Sequence, residues 1–534
     1  MSNRDRDVAH LYHESTKLFY LDLQRKPPAH KRYKALLPLP LPTEVASLAV
    51  PTLEAVAATG AAVSSAQGFD LTTLAGLLFY SVGRIRRRAF AGAGEVTFRA
   101  AASAGGLYPI EVYVVCGNLP GLAAGVYHFS PADFALRCLR QGDYRMVLAQ
   151  AAGDPTGATA LGTLVFSAVF WRSAWKYRVR SYRYCFWDNG TILANLLAAA
   201  TAAGLPARVL MGFVDAQVNH LLGLDGHHEA STCLVPLGQP VDLPSLAKTD
   251  QVPPLSLEIE ISSRGEIDYP EITRLHTYSA LTTPEEVVAW RGVYAGATAS
   301  AQGAALPRPA PSSGPCYPLR PLELALATPL ALGDVIRQRG STRRFAREPI
   351  SLSQLSALLA HTTTGVPADF LGSGGPSLLD IYLIVNAVTD LPSGSYVFVP
   401  QEQALHLLSA GDCREEAGHL CFEQALGADA SVVVFFMADL QSVLQRFGNR
   451  GYRIVQLEAG ILGGKMYLCA GALGLGASGL TFYDDDVTAF FTPHATGKSA
   501  IFVVALGQTA HENRVRPFRS RVGMRLDALS RRDY

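Results

Sequence analysis

The chain has 534 residues, 49% hydrophobic and 17% charged, with a formal net charge of +1 at pH 7. That balance excludes a disordered chain, leaves room for two to four domains, and offers no strong field to gather nucleic acid or an anionic membrane. The eight cysteines are scattered without a C-x-x-C pair, no apolar run reaches the roughly 18 residues of a membrane span, and the charged opening Met1–Asp7 is unlike a signal peptide. A cytoplasmic protein with reduced thiols and no resident metal is expected.

In chain order, residues 1–50 read as a polar, Pro-rich lead-in. Residues 51–240 read as a first domain. Its short helix LTTLAGLL (71–78) precedes a small-residue loop, Arg99 to Pro109, and the alternating strand EVYVV. A Gly125-Val-Tyr strand, the buried run TLVFSAVF, a long helix ending at Gly204 and the strand CLVPLG follow. Residues 241–330, with PRPAPSSGP at 307–315, read as a linker region. Residues 331–534 read as a second domain that repeats the first.

The repeat is visible without a gap at an offset of 270 (450 − 180). Arg180, Tyr182, Arg183, Gly190, Gly204, Leu205 and Asp215 return as Arg450, Tyr452, Arg453, Gly460, Gly474, Leu475 and Asp485. Upstream, LTTLAGLL is answered by LSQLSALL (352–359), and Tyr113 by Tyr382. Each copy alternates helices with strands of period 2, which predicts an α+β fold: helices flanking a mostly antiparallel sheet, twice over.

The copies differ where chemistry is expected. Copy two carries Arg339-x-Ser341-x-Arg343 ahead of its first helix, and copy one has no arginine there. In extended backbone these alternate side chains share a face, two forked cations and a hydroxyl suited to a phosphate, although a solvated basic stretch would read the same way. Copy one alone has the loop Ser103-Ala104-Gly105-Gly106-Leu-Tyr-Pro, where missing Cβ atoms let a flat or crowded group approach; an ordinary tight turn is the plain alternative. It also has Lys176-Tyr177, two proton carriers whose pKa values nearby Arg172, Arg178, Arg180 and Arg183 are expected to lower, against Arg446-Phe447 in copy two.

These motifs, with Trp-Lys-Tyr-x2-Arg-x-Tyr-Arg and the early Tyr12-His13-Glu14-Ser-Thr-Lys17, resemble the nitroreductase superfamily, and within it the SagB/ThcOx-type dehydrogenase branch in tandem form. The resemblance implies two nitroreductase-like domains packed as an intrachain pseudo-dimer, with FMN in the interface. Arg339, Ser341 and Arg343 would bind its phosphate end, Ser103, Ala104, Gly105 and Gly106 would line its ring, and Gly479, Leu480 and Thr481 would reach the N5 edge with backbone N–H groups. Lys176 and Tyr177 would remove a proton from substrate. Because each copy lacks the other's motif, one working flavin site and one degenerate site are expected.

The function this implies is an FMN-dependent dehydrogenase or oxidase acting on a thiazoline, oxazoline or related C–N bond of a peptide-derived or small-molecule substrate, with other modification enzymes as partners. An NAD(P)H-fed nitro- or quinone-reductase and a flavin-less peptide binder are the alternatives. The chain is expected to be a monomeric pseudo-dimer or a homodimer. GLGASG (474–479) follows a helix instead of a strand and is not a dinucleotide site, and His10-x-x-His13 and His227-His228-Glu229 lack a third metal ligand nearby. RIRRR (84–88) reads as a solvated face or a guide for acidic substrate, and Asp484–Asp486 as a polar turn.

Overall fold

The computed structural model describes residues 25–58, 68–90, 94–154, 160–238, 252–260, 265–295, 314–321, 330–371 and 375–510. The Tyr12–Lys17 motif, His10 and residues 307–313 of the Pro-rich stretch lie outside the described residues. Two antiparallel sheets repeat one plan. Across the first run Leu39–Pro40, Ala135–Gln141, Gly125–Ser130, Ile110–Cys116, Gly162–Val169 and Glu229–Leu237. Across the second run Cys316–Pro318, Ala404–Ala410, Gly394–Val399, Asp380–Val385, Val432–Ala438, Ser499–Gly507 and Gly476–Gly479. The central strands are predominantly apolar and buried on both faces, as a sheet covered by helices on each side demands.

A long helix lies at the heart of each copy, Ser181–Ala202 and Arg450–Ala472, and each ends before a glycine of positive φ, Gly204 and Gly474, as read from the sequence. Both helices are buried almost from end to end because they pack on their own sheets and on each other. Their crossing is at the glycines that the repeat shares. A Cβ on Gly190 would stand 2.5 Å from the carbonyl carbon of Gly460, and one on Gly460 would stand 2.6 Å from the Trp187 carbonyl oxygen. Only backbone without side chains allows two helices this close. Around the crossing, buried side chains of both copies form one continuous apolar core.

The lead-in is anchored in copy one through a buried charge. Lys31 Nζ binds Glu229 at 2.6 Å and the Tyr113 hydroxyl at 2.9 Å. In copy two, Tyr382 receives Lys498 Nζ at 3.0 Å, and Lys498 pairs with Asp380 at 2.6 Å. The repeated tyrosine keeps a lysine–carboxylate partner in both copies, but in copy one the lysine comes from the lead-in. Within 241–330 the structure contains two helices, Pro270–Tyr278 and Pro284–Ala295, where composition suggested only linker.

Replacing Gly460 with Ala forces the crossing apart, an overpacking cost of about 1–3 kcal/mol. Gly76→Ala, in the helix Leu71–Val82 with open space at the Cβ position, is the matched control and should be stabilising by about 0.5–1 kcal/mol. Urea midpoints of the two variants moving in opposite directions is the expected result.

Candidate functional site

Each long helix begins with two arginines that reach into the other copy. Arg450 Nη1 and Arg453 Nη1 hold the two oxygens of Asp215 at 2.7 Å each. Reciprocally, Arg180 Nη1 holds Asp484 at 2.6 Å and Arg183 holds the second oxygen of the same carboxylate. The ungapped repeat paired Asp215 with Asp485; the structure corrects this to Asp484. Leu210 and Leu480 are equivalent, each donating its N–H into its sheet, yet Asp215 and Asp484 each open a helix, so copy two is one residue shorter between them. Asp484–Asp486 is accordingly a helix start, not a turn.

The two ends then diverge. At Asp215 the side chains are at most 5% exposed, and the region between the copies fills the space. Arg450 also donates to the carbonyls of Met211 at 2.5 Å and Ser279 at 3.0 Å, and Arg453 to the hydroxyl of Ser279 at 2.7 Å. Trp290, from the helix Pro284–Ala295, packs on Phe447 with ring centroids 5.7 Å apart and donates to its carbonyl. Phe447 is the residue that replaces Tyr177. The N–H groups of Met211 and Gly212 both donate, at 2.9 Å, to the carboxylate of Asp369, which Arg291 holds at 3.0 Å. This end is closed by the chain itself.

At Asp484 the site is open. A cavity of about 580 Å³ is lined by Lys176, Tyr177, Arg180 and Tyr184 of copy one and by Phe422, Thr481, Phe482 and Asp484 of copy two. The small-residue loop meets it from below. Gly105 is left-handed (φ 62°), and a Cβ there would lie 2.6 Å from the Tyr177 hydroxyl and 3.1 Å from Lys176 Nζ. Gly106 is exposed with open space beside it. Ser103 Oγ and the Ala104 N–H both donate to Asp188, at 2.5 and 2.9 Å, so a buried carboxylate of the first long helix pins the loop.

Lys176 Nζ sits 5.1 Å from the Tyr177 ring centroid. The expected lowering of the phenol's pKa by arginines is corrected here. Burial pushes Tyr177 above its ordinary value, the Tyr184 and Asp188 interactions add to that, and only Arg343 opposes them. Arg172 is turned into the core, bound to Glu111 at 2.6 Å and the Tyr108 carbonyl at 2.9 Å, and Arg180 and Arg183 are committed to Asp484.

In copy two the motif gathers around Tyr467. The Arg339 guanidinium lies 5.3 Å from the Tyr467 ring centroid and donates to the Ala100 carbonyl at 2.6 Å; Ser341 Oγ is 3.1 Å from the Tyr467 hydroxyl. Arg343 is exposed. Arg86, read as part of a solvated run, is instead buried and donates to the Gln338 carbonyl at 2.7 Å and to that of Arg339. Of the three expected backbone donors, two are engaged inside the fold: Gly479 N–H binds the Tyr467 hydroxyl at 2.7 Å and Leu480 N–H the Val503 carbonyl at 3.1 Å. The counterparts of Met211 and Gly212 are Thr481 and Phe482, and among the described residues no carboxylate takes their N–H groups. Thr481 and Phe482 line the cavity.

Sequence reasoning passed over Tyr467, Asp188 and Phe422. Tyr467 stands opposite Leu197 in the repeat, and Asp188 opposite Glu458, a buried acid in both copies; those were signals. Phe422 and Glu423 are left-handed without being glycine (φ 61° and 56°), and the Phe422 ring, 51% exposed, leans on Tyr483 at the cavity mouth. The corresponding turn in copy one has Gly153 (φ 52°) under Val288. Strain held at an exposed aromatic marks a residue kept for what it faces.

Comparison with known proteins matches the nitroreductase family over residues 80–239 and 336–507. The microcin B17-processing protein McbC of Escherichia coli is 34% identical over 134 residues, 23% of this chain and 47% of McbC. The trifolitoxin-processing protein TfxB of Rhizobium leguminosarum bv. trifolii is 32% identical over 174 residues, 30% of this chain and 44% of TfxB. The match thus spans about half the length of these two relatives. A crystal structure of a nitroreductase-like protein from Anabaena variabilis superposes with a TM-score of 0.71 at 27% identity, covering 94% of this chain and 99% of that one.

Although burial alone would raise its pKa, the Arg450 and Arg453 charges hold Asp215 down at about 2. Its stabilising contribution is present above the unfolded value near pH 4 and is lost as the pH falls through about 2. Asp215→Ala leaves two arginines buried without a counter-charge and should cost about 3–5 kcal/mol. Asp484→Ala, at a pair about one-third exposed, should cost about 0–1 kcal/mol. Denaturant titration of both variants checks the contrast.

Proposed function

The chain belongs to the nitroreductase family, and from that premise we propose that it is an FMN-dependent dehydrogenase or oxidase. Its substrate is a thiazoline, oxazoline or related C–N bond in a peptide-derived natural product. The observation that carries this reading is the cavity between the copies, with the Lys176–Tyr177 pair of copy one on one side and Thr481 and Phe482 of copy two on the other. Kinship with McbC and TfxB, which process microcin B17 and trifolitoxin, supports a peptide as the substrate and other modification enzymes as partners.

The residues present fit a flavin. At the closed end, the Met211 and Gly212 N–H groups converge on the Asp369 carboxylate, so this backbone geometry suits an acceptor pair. At the open end Thr481 and Phe482 line the cavity, and the same donors there would meet the N5 and O4 edge of the ring, which offers such acceptors. Arg339, Ser341 and Arg343 would hold the phosphate end, and the Ser103–Gly106 loop would lie along the ring. Linker helices and Asp369 fill the second site, which supports a single flavin per chain.

FMN, when bound, supplies the hydride acceptor. The chain supplies position and proton transfer. Lys176 Nζ takes the substrate proton. Tyr177, kept as a phenol by burial, donates a hydrogen bond that orients the reacting ring. Tyr184, Phe422 and Phe482 wall the cavity with apolar surface and keep water from the reacting atoms.

The purified protein should be yellow, with a flavin stoichiometry of one, and Arg339→Ala/Arg343→Ala should abolish it. Lys176→Ala should retain FMN and lose about 10²–10⁴-fold in turnover. Two flavins per chain would refute the closed second site. A colourless protein that stays so with added FMN would leave the flavin-less peptide binder as the reading.

A further inference from the structure

The loop proposed to lie along the flavin is held by one buried charge. Asp188, 5% exposed in the middle of the first long helix, accepts from Ser103 Oγ at 2.5 Å and from the Ala104 N–H at 2.9 Å. Ser103 Oγ in turn accepts the Tyr108 N–H at 2.9 Å, so both ends of the loop close on this carboxyl group. No ion pair within 4 Å involves Asp188 among the described residues. The charged and titratable groups that act on it or feel it are Arg99 at the end of its strand, Tyr108 beyond the loop, Tyr177 of the neighbouring helix and Cys185 one turn earlier. Such a group has two jobs available: to fix the loop, and to place a negative charge under whatever rests upon it.

We propose that Asp188 is a positioning residue that presses the Ser103–Gly106 loop against the flavin and, when ionised, makes the bound flavin harder to reduce. The inference rests on the FMN reading above. Reduction adds electrons to the ring, and a buried carboxylate one loop away opposes that through a medium that screens poorly. Burial raises the Asp188 pKa to about 7, against the hydrogen bonds from Ser103 and Ala104 and the Arg99 charge. The opposing charge is therefore present above about pH 7 and absent below it.

The test is the midpoint potential of bound FMN as a function of pH in the full-length holoprotein, measured beside FMN content. Asp188→Asn keeps an acceptor for the Ala104 N–H and removes the charge. It should retain FMN and show a more positive potential than wild type above pH 7, the two curves converging below it. Glu458→Gln is the matched control. Glu458 occupies the repeat position of Asp188, is equally buried, and accepts the Leu378 N–H beside the closed site; its loss should leave the potential unmoved. Ser103→Ala removes a bond that favours the ionised form and should move the break in the wild-type curve to higher pH, which decides the matter if Asp188→Asn does not fold.

Parallel curves for wild type and Asp188→Asn at every pH, or a break that stays in place in Ser103→Ala, would overturn the proposal while leaving the flavin reading intact. An equal shift in Glu458→Gln would overturn it too, by showing that any buried charge at this depth moves the potential. A wild-type protein that binds no FMN would instead end the reading on which the proposal rests.

Discussion

Two helices that touch backbone to backbone at Gly190 and Gly460 set the terms for everything else in this chain. At that separation the first turn of each helix is carried into the other copy, and its arginines arrive at a carboxylate about 25 residues after that copy's crossing glycine. With the contact come two such places, one at Asp215 and one at Asp484. Neither is the property of one copy. At the open one, Gly105, Lys176 and Tyr177 come from one copy, and Thr481, Phe482 and Asp484 from the other.

The same ion triad does different work at the two ends because its surroundings differ. Buried at Asp215, two guanidinium groups and one carboxylate leave an excess positive charge that backbone carbonyls and the Ser279 hydroxyl offset, and the intervening region supplies that hydroxyl and the carbonyls of His276 and Ser279. With that end covered, removing the carboxylate is costly, and no ligand is needed to satisfy the donors. At Asp484 the triad is partly exposed. Arg180 keeps Nε and Nη2 without partners among the described residues, whereas the Nε and Nη2 of its counterpart Arg450 bind carbonyls. Closure and openness thus follow from where the intervening helices lie, without any change in the fold of either copy.

The duplication, the mostly antiparallel plan and the helix ends were legible in the sequence because periodicity, glycine at C′ and ordered identities are local signals. The motif residues were legible as types, and the structure brings Gly105, Lys176 and Tyr177 together as a cluster. What the sequence could not supply were contacts between distant segments. Arg86 looks solvated until the turn at Arg339 is folded against it, and Asp369 is an unremarkable acid until two N–H groups 157 and 158 residues away are aimed at it. The slip from Asp485 to Asp484 was hidden for a related reason: identity favours the wrong acid, and only the equivalent sheet bonds of Leu210 and Leu480 reveal the missing residue. The pKa of Tyr177 was misjudged because arginines near in sequence were already paired in space.

Covering one end of the molecule with its own chain has a consequence for how the protein can change. In a symmetric homodimer every substitution appears twice, so an alteration made for one site is imposed on the other. Here the two faces of the open site are encoded separately, and their mirror positions are walled off. Phe447 can serve as packing for Trp290 while Tyr177 holds a proton, and Gly153 can turn under Val288 while Phe422 endures a strained backbone at the cavity mouth. Joining the copies and sealing one end has released each residue from being a compromise between two roles.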